Sequence, residues 1–356
     1  QVCIMKKHYF AYEMFSKYRG AIMGIQILLI VFFHFTEDCK GYNVRYSGIV
    51  YWFYNYVKSS GVDIFLLVSG LGLYYSWKKR AELKSFYQRR FVKILIPYFL
   101  VAVPAWIWLD LIEEHNGLVQ MFSDLFFLTF FVGENKWFWY ILLCGFCYLI
   151  FPYIFDVIEK VRDHTEAKMR VLVLCLTATI VTMMLQLYAK DLYMNISIAT
   201  KRVPAFIIGV YIGKLAWEKK GKPIWSVWLQ LILLYWMMIP LQLYNKKIMG
   251  VYLLALMNLT ICEILMLLCE WTENKSSVIL KLRNGILAIL NWFGKYTIEI
   301  YLIHVAFRKV FKTLDYPTYR LKYEGSMLLI SFVLAVALKY LDLFIEKRVL
   351  LSLQKN

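Results

Sequence analysis

Two histidines fall inside long apolar stretches: His34, in Ile30-Val31-Phe32-Phe33-His34-Phe35, and His304, in Glu299-Ile300-Tyr301-Leu302-Ile303-His304. Imidazole titrates near neutral pH and can act as a general base toward a hydroxyl. It can equally be an interfacial or hydrogen-bonded structural group, and position alone leaves both readings of His34 open. Asp63 begins another apolar block, Gly61-Val62-Asp63-Ile64-Phe65, where a carboxylate can cap a helix start or orient a base. Ser69 and Gly70 follow, and Gly70 with Gly72 lets a second helix approach closely. Arg89, Arg90 and Lys93 precede Pro97, with residues 90 and 93 on one helix face. Cations so placed suit a phosphate-bearing ligand such as coenzyme A, or ordinary anchoring of a span end. Lys295 and Glu299 are four apart in the stretch ending at His304, which predicts one helix and a Lys295–Glu299 pair. Glu263 and Lys339 are further isolated charges for which pairing is the expected role.

Such groups are expensive in hydrocarbon and normally face a bundle interior or a wet cavity. The elements that must hold them are bilayer-spanning helices. Hydrophobic residues are 61% of the 356 and charged residues 18%, against about half and about a quarter in soluble domains. The apolar residues run in uninterrupted blocks, and a spanning helix needs about 20 of them. Ten blocks are legible: 21–36, 61–77, 91–110, 137–156, 171–189, 202–217, 225–244, 249–270, 290–311 and 325–345. The expected fold is an all-α integral membrane protein of about ten transmembrane helices. The run 120–133, with Phe126, Phe127, Phe130 and Phe131, reads as a re-entrant or interfacial piece, with an eleventh span as the alternative. Charges precede the first block and no small-residue cleavage site follows it, so it reads as a retained helix.

A net charge of +17 could suit nucleic acid, but its distribution suits a membrane topology. With the N-terminus inside and ten alternating spans, inside segments hold 25 Lys and Arg and outside segments 14, the bias that cytoplasmic loops carry. Both termini are therefore expected in the cytoplasm, and no nucleic-acid partner is implied. Only the last outer loop, with Arg308, Lys309, Lys312, Arg320 and Lys322, is basic against the trend. The chain divides into a cytoplasmic segment 1–20, a transmembrane domain 21–345 and a cytoplasmic tail 346–356. Cys39 falls in an outer loop and five other cysteines in spans, so no disulfide framework is supported. Tyr51, Trp52, Tyr54, Tyr56, Trp271 and Trp292 sit near span ends, as an interfacial aromatic belt predicts. No internal repeat is evident, which weakens the case for an inverted-repeat transporter. No metal site is implied, because neither histidine has clustered carboxylate or thiolate partners in the sequence.

Several of these segments resemble the acyltransferase-3 family of membrane O-acyltransferases. Gly61-Val62-Asp63-Ile64-Phe65-Leu66-Leu67-Val68-Ser69-Gly70 is similar to its G-V-D-x-F-F-x-x-S-G, and Phe86 to Tyr98 to its basic pair leading to a proline. Trp137-Phe138-Trp139-Tyr140, then Tyr148 and Pro152, resembles W-F-x-x … Y-x-x-x-P. Arg202-Val203-Pro204-Ala205-Phe206-Ile207-Ile208-Gly209 resembles R-x-P-x-F-x-x-G, and Gly294 to His304 the closing G-K-x-S-x-x-I-Y-L-I-H. The first block resembles an opening helix that runs from an arginine to a histidine. The family arginine falls on Met23 here, with Arg19 one turn earlier, and the second arginine of the basic pair falls on Lys93.

The resemblance implies a cell-envelope glycan O-acyltransferase in a multi-pass membrane, most simply the bacterial plasma membrane. Acetyl-CoA or another acyl-CoA is the implied co-substrate, with a glycan acceptor and membrane lipid as further partners. His34 is the expected base, Asp63 its orienter, and Arg89, Arg90 and Lys93 the coenzyme A site. Ser69, Trp139, Tyr140, Arg202, Glu299, Tyr301 and His304 are expected to line the site. A covalent acyl-histidine relay is an alternative to direct transfer. Rival readings are a transporter or flippase using the same wet bundle, and a scaffold or sensor that has lost the chemistry.

Overall fold

Without water in a hydrocarbon core, each backbone polar group must be satisfied within its own segment, so long apolar runs fold as helices. The computed structural model describes residues 8–42, 44, 48, 61–133, 135–161, 163–243, 248–273 and 275–355. The aromatic residues Tyr51, Trp52, Tyr54 and Tyr56 lie outside the described residues. The order is β1 (Tyr9–Ala11), α1 (Met14–Lys17), α2 (Arg19–Gly41), α3 (Gly61–Lys79) and α4 (Leu83–Trp106), the last continued by a π-helical turn, Ile107–Glu113. Next come α5 (Gly117–Leu125), α6 (Leu128–Val132), α7 (Trp139–Glu159), α8 (His164–Tyr188), α9 (Lys190–Thr200) and α10 (Val203–Trp217). The chain continues with β2 (Gly221–Pro223), α11 (Ile224–Leu243), α12 (Met249–Thr272), α13 (Ser277–Lys295), α14 (Thr297–Thr313) and α15 (Leu321–Lys355). The protein is an all-α integral membrane protein.

Among the described residues seven helices are long and apolar enough to cross a bilayer, or eight if α13 and α14 form one bent span. Two of the ten apolar blocks, α3 and α11, fall outside that number. Helix α3 carries Asp63, Ser69, three glycines and two terminal lysines, and sits inside the bundle with most of its residues buried. Helices α5 and α6, of 9 and 5 residues, are too short to cross, so the run 120–133 does not make a further span. Helix α2 runs five residues past the block 21–36 and takes in Cys39, which is buried in a helix rather than held in a loop.

The block 290–311 is not a single helix. It breaks at Tyr296, where α13 and α14 meet at 66°. The break follows Gly294, whose missing side chain lets α13 lie directly on α2: a Cβ there would overlap the Gly20 carbonyl, and one at Gly24 the Leu290 carbonyl. Close approach through small residues is how membrane helices gain contact where no hydrophobic force drives them together. The bend overturns the expected Lys295–Glu299 pair. Fully buried Glu299 is instead paired to Lys339 of α15 at 2.8 Å. Lys214, buried in α10, donates to the carbonyls of Ile158 (3.0 Å) and Val161 (2.7 Å), satisfying acceptors at the end of α7. Glu263 likewise finds Lys222 at 2.8 Å. The isolated charges are thus spent on holding helices together.

Candidate active site

Helices α2, α3 and α14 carry two cavities stacked end to end. The first, of about 570 Å³, lies at the Arg19 end of α2. Five cations line it: Arg19, Arg90, Lys93, Lys295 and Lys339; no carboxylate does. Of the five, only Lys339 has an acidic partner among the described residues. Among the described residues no carboxylate lies within ion-pair distance of Arg19, Arg90, Lys93 or Lys295. Unpaired cations around an open cavity have the chemistry to hold a polyanion, with Arg offering a planar fork and Lys a point charge. Ser69, Tyr140, Cys144 and Tyr148 form less charged parts of the wall.

The second cavity, of about 700 Å³, lies at the other end of the same helices and is lined by His34, Trp137, Trp139, Arg202 and Arg308 among others. The two cavities share three wall residues, Ile30, Val62 and Tyr301. Tyr301 is fixed there by donating its hydroxyl to the Trp137 carbonyl at 3.1 Å and by an edge-to-face contact with Tyr140 at 5.6 Å. Fifteen residues separate Arg19 from His34, about 22 Å at about 1.5 Å per residue, most of a hydrocarbon core about 30 Å thick. The cationic cavity and the histidine therefore lie toward opposite ends of the bundle, divided by a thin partition.

The histidines, 270 residues apart, meet face to face: the His34 and His304 rings stack with centroids 5.2 Å apart and planes 14° apart. His34 lines the cavity, whereas His304 is 1% exposed and lies behind it. Nδ1 of His34 and both ring nitrogens of His304 have no hydrogen-bond partner among the described residues. One turn further along each helix, Asp38 of α2 meets Arg308 of α14, whose Nε lies 3.1 Å from both carboxylate oxygens. Lys312 adds a contact to Asp38 at 2.5 Å and Glu37 one to Arg308 at 2.7 Å. This ion cluster, centred on the buried Asp38, ties the two histidine-bearing helices together.

Asp63 is elsewhere. Its Oδ1 lies 3.8 Å from Arg202 Nε, both groups being nearly buried, and no contact joins it to His34 among the described residues. Arg202 also donates to the Ile198 carbonyl at 2.6 Å and stacks over Trp139 at 5.3 Å. Arg89 turns to Ser85 and lines neither cavity, while its neighbours Arg90 and Lys93 line the first. Glu299 lies behind the cationic wall as the partner of Lys339.

The acyltransferase domain of the acyltransferase-3 family matches residues 22–340. The chain belongs to the acyltransferase-3 family. No curated protein and no solved structure matches it. Family membership makes it a membrane acyltransferase, and one of the two departures noted in its sequence has a structural counterpart. Met23 stands where the family has arginine, yet Arg19, one turn earlier, extends its guanidinium against Gly72 of α3 and enters the cationic cavity beside Met23. A one-turn offset keeps a side chain on nearly the same helix face. Sequence reasoning missed Lys339 and Lys295 as cavity cations, and Arg308 and Lys312 as neighbours of the histidines. Arg308 follows His304 by four residues on one helix, a spacing that could have flagged it; Lys339 reaches the cavity and Lys312 reaches Asp38 only across the bundle.

Proposed function

We propose that the protein is an O-acyltransferase that takes an acyl group, acetyl in the simplest case, from coenzyme A and places it on a hydroxyl of a cell-envelope glycan. The observation that carries this reading is the partition: a cavity of unpaired cations and a cavity holding a histidine, back to back across Ile30, Val62 and Tyr301. Coenzyme A phosphates suit Arg19, Arg90, Lys93 and Lys295, and the thioester would reach toward the partition. A sugar hydroxyl in the second cavity would give its proton to His34 as its oxygen attacks the thioester carbonyl. The carbon–sulfur bond breaks, the thiolate leaves, and the proton passes to it from the imidazolium. An alcohol and a thioester become an ester and a thiol, with no other reactant consumed. His304 acts as a positioning residue, its ring fixing that of His34.

On this reading the cationic cavity opens to the cytoplasm and the histidine cavity to the outer face of a bacterial plasma membrane. The test uses sealed membrane vesicles that retain their own glycans, with radiolabelled acetyl-CoA supplied on the cationic-cavity side only. Label should appear in glycan as alkali-labile ester. Label that is merely hydrolysed, or that crosses the membrane as intact acetyl-CoA, contradicts the proposal.

A further inference from the structure

A third cavity, of about 430 Å³, adjoins the histidine cavity, and Trp137 and Lys309 belong to the walls of both. The local backbone builds it. Helix α4 loosens into the π-helical turn Ile107–Glu113, and the chain then reverses through His115 and Gly117, both at positive φ (55° and 85°). The reversal sends α5 and α6 back beside the turn, so that Asp110, Glu114 and Asp124 face one pocket. Single π-helical turns inside α-helices recur at functional sites.

The pocket is polar in a particular way. Asp124 accepts from Gln120 (3.0 Å) and Thr129 (2.6 Å) and from Asn135, so it is a filled structural hub. Asp110 is not filled. It is 2% exposed, its Oδ1 accepts from Asn116 at 3.3 Å, and its Oδ2 has no partner among the described residues. A buried acceptor left open is destabilising, and a ligand hydroxyl would satisfy it. A metal ion is the wrong occupant, because among the described residues no three acidic, histidine or cysteine groups converge closely enough to hold one. Trp106 and Trp137, with ring centroids 5.8 Å apart, supply apolar surface beside these acceptors and amides. Carboxylates and amides that bond hydroxyls, set against indole rings that cover C–H faces, are the chemistry of sugar recognition.

We propose that this pocket is a subsite for a sugar unit of the acceptor, adjacent to the unit whose hydroxyl is acylated, and that it selects neutral or amine-bearing sugars over acidic ones. The proposal rests on the glycan-acceptor reading above. Selectivity follows from charge: three carboxylates line the pocket against one lysine, Lys309, itself 3.3 Å from Glu114. Trp137 would sit at the junction of the two units, since its ring bounds both cavities and its carbonyl holds Tyr301.

The experiment measures binding of cellotetraose, chitosan tetramer and tetragalacturonate to the full chain in nanodiscs, for wild type, Asp110→Asn and Glu114→Gln, with acetyl-CoA binding as the control. The neutral and amine-bearing tetramers should bind and tetragalacturonate should not. Asp110→Asn should weaken binding about tenfold or more, the weight of a hydrogen bond to a charged acceptor, with acetyl-CoA binding unchanged. Glu114→Gln, at a more exposed position, keeps the test available if Asp110→Asn does not fold; it should weaken binding of the amine-bearing tetramer most. Failure of both the neutral and the amine-bearing tetramer to bind, equal binding of the acidic one, or wild-type affinity in the pocket variants overturns the subsite. Wild-type acyl transfer in Asp110→Asn would sink the subsite and spare the acyltransferase reading. Pocket-dependent sugar binding without transfer to any glycan would do the reverse.

Discussion

Two lysines of the cationic cavity should respond oppositely to the same change. Lys93 is exposed to the cavity and has no carboxylate within ion-pair distance among the described residues, so the fold gains nothing from its charge. Lys93→Met should shift stability by no more than about 0.5 kcal/mol, as for a substitution without structural partners. It should nonetheless weaken acetyl-CoA binding by about 1.5–3 kcal/mol, or about tenfold to about 150-fold, the worth of one charge-assisted phosphate contact. Adding Arg90→Ala should bring the loss to about 3–6 kcal/mol, and Lys93→Arg should preserve binding. Lys339 lines the same cavity but neutralises Glu299, whose side chain is fully buried, at 2.8 Å. Lys339→Met strands that carboxylate, a lesion of about 3–5 kcal/mol, so the protein should unfold at markedly lower temperature. Thermal unfolding and calorimetric titration with acetyl-CoA in nanodiscs read both quantities on one sample. Raising ionic strength should weaken acetyl-CoA binding in the wild type and do so less in Lys93→Met. Equal destabilisation by the two substitutions, or unchanged affinity in Lys93→Met, would refute the division of labour and return Arg90 and Lys93 to membrane anchoring.

Two further outcomes are expected. Gly24→Ala drives a methyl of α2 into the Leu290 backbone of α13 and should destabilise by about 1–3 kcal/mol, whereas Gly285→Ala, on α13 itself, meets nothing within 4 Å and should stabilise by about 0.5–1 kcal/mol; thermal unfolding of the pair checks both signs. A cysteine introduced at Lys79 should resist an impermeant reagent added outside intact cells, because residues 78–93 hold seven Lys and Arg against one in 110–136; labelling from outside would invert the topology.

The helices were legible because a bilayer leaves a long apolar run no other structure to adopt. The blocks from 21–36 to 325–345 fold as helices, but 290–311 is split in two and α3 and α11 fall outside the helices long and apolar enough to cross. The bend at Tyr296 was hidden because Gly294 serves a contact with Gly20, 274 residues away, rather than any local turn pattern. The Lys295–Glu299 spacing is a sound helical rule, defeated by that bend and by Lys339 arriving from another helix. At the site, the type of residue could be read and the pairing could not. His34 and His304 were each conspicuous alone, but their stacking depends on α2 and α14 lying side by side. Asp63 could be assigned to a cap or to a base. The structure shows its ion pair with Arg202, another residue that stood out in the sequence. Arg308 and Lys312 looked like loop charges that broke the topological bias, and they are instead helical residues paired to the buried carboxylate of Asp38.

The central claim is that His34 removes a proton from the acceptor hydroxyl, and one comparison tests it most directly. Acyl transfer to glycan is measured for wild type, His34→Ala and His34→Gln at matched levels of folded protein in the membrane. Glutamine keeps hydrogen-bonding capacity without basicity, so it separates a structural imidazole from a catalytic one. Both variants should lose about 10²–10⁴-fold of the activity, the usual weight of general-base catalysis, while binding acetyl-CoA as the wild type does, because His34 does not line the cationic cavity. Near wild-type transfer by His34→Gln would contradict the mechanism and leave His34 a structural residue.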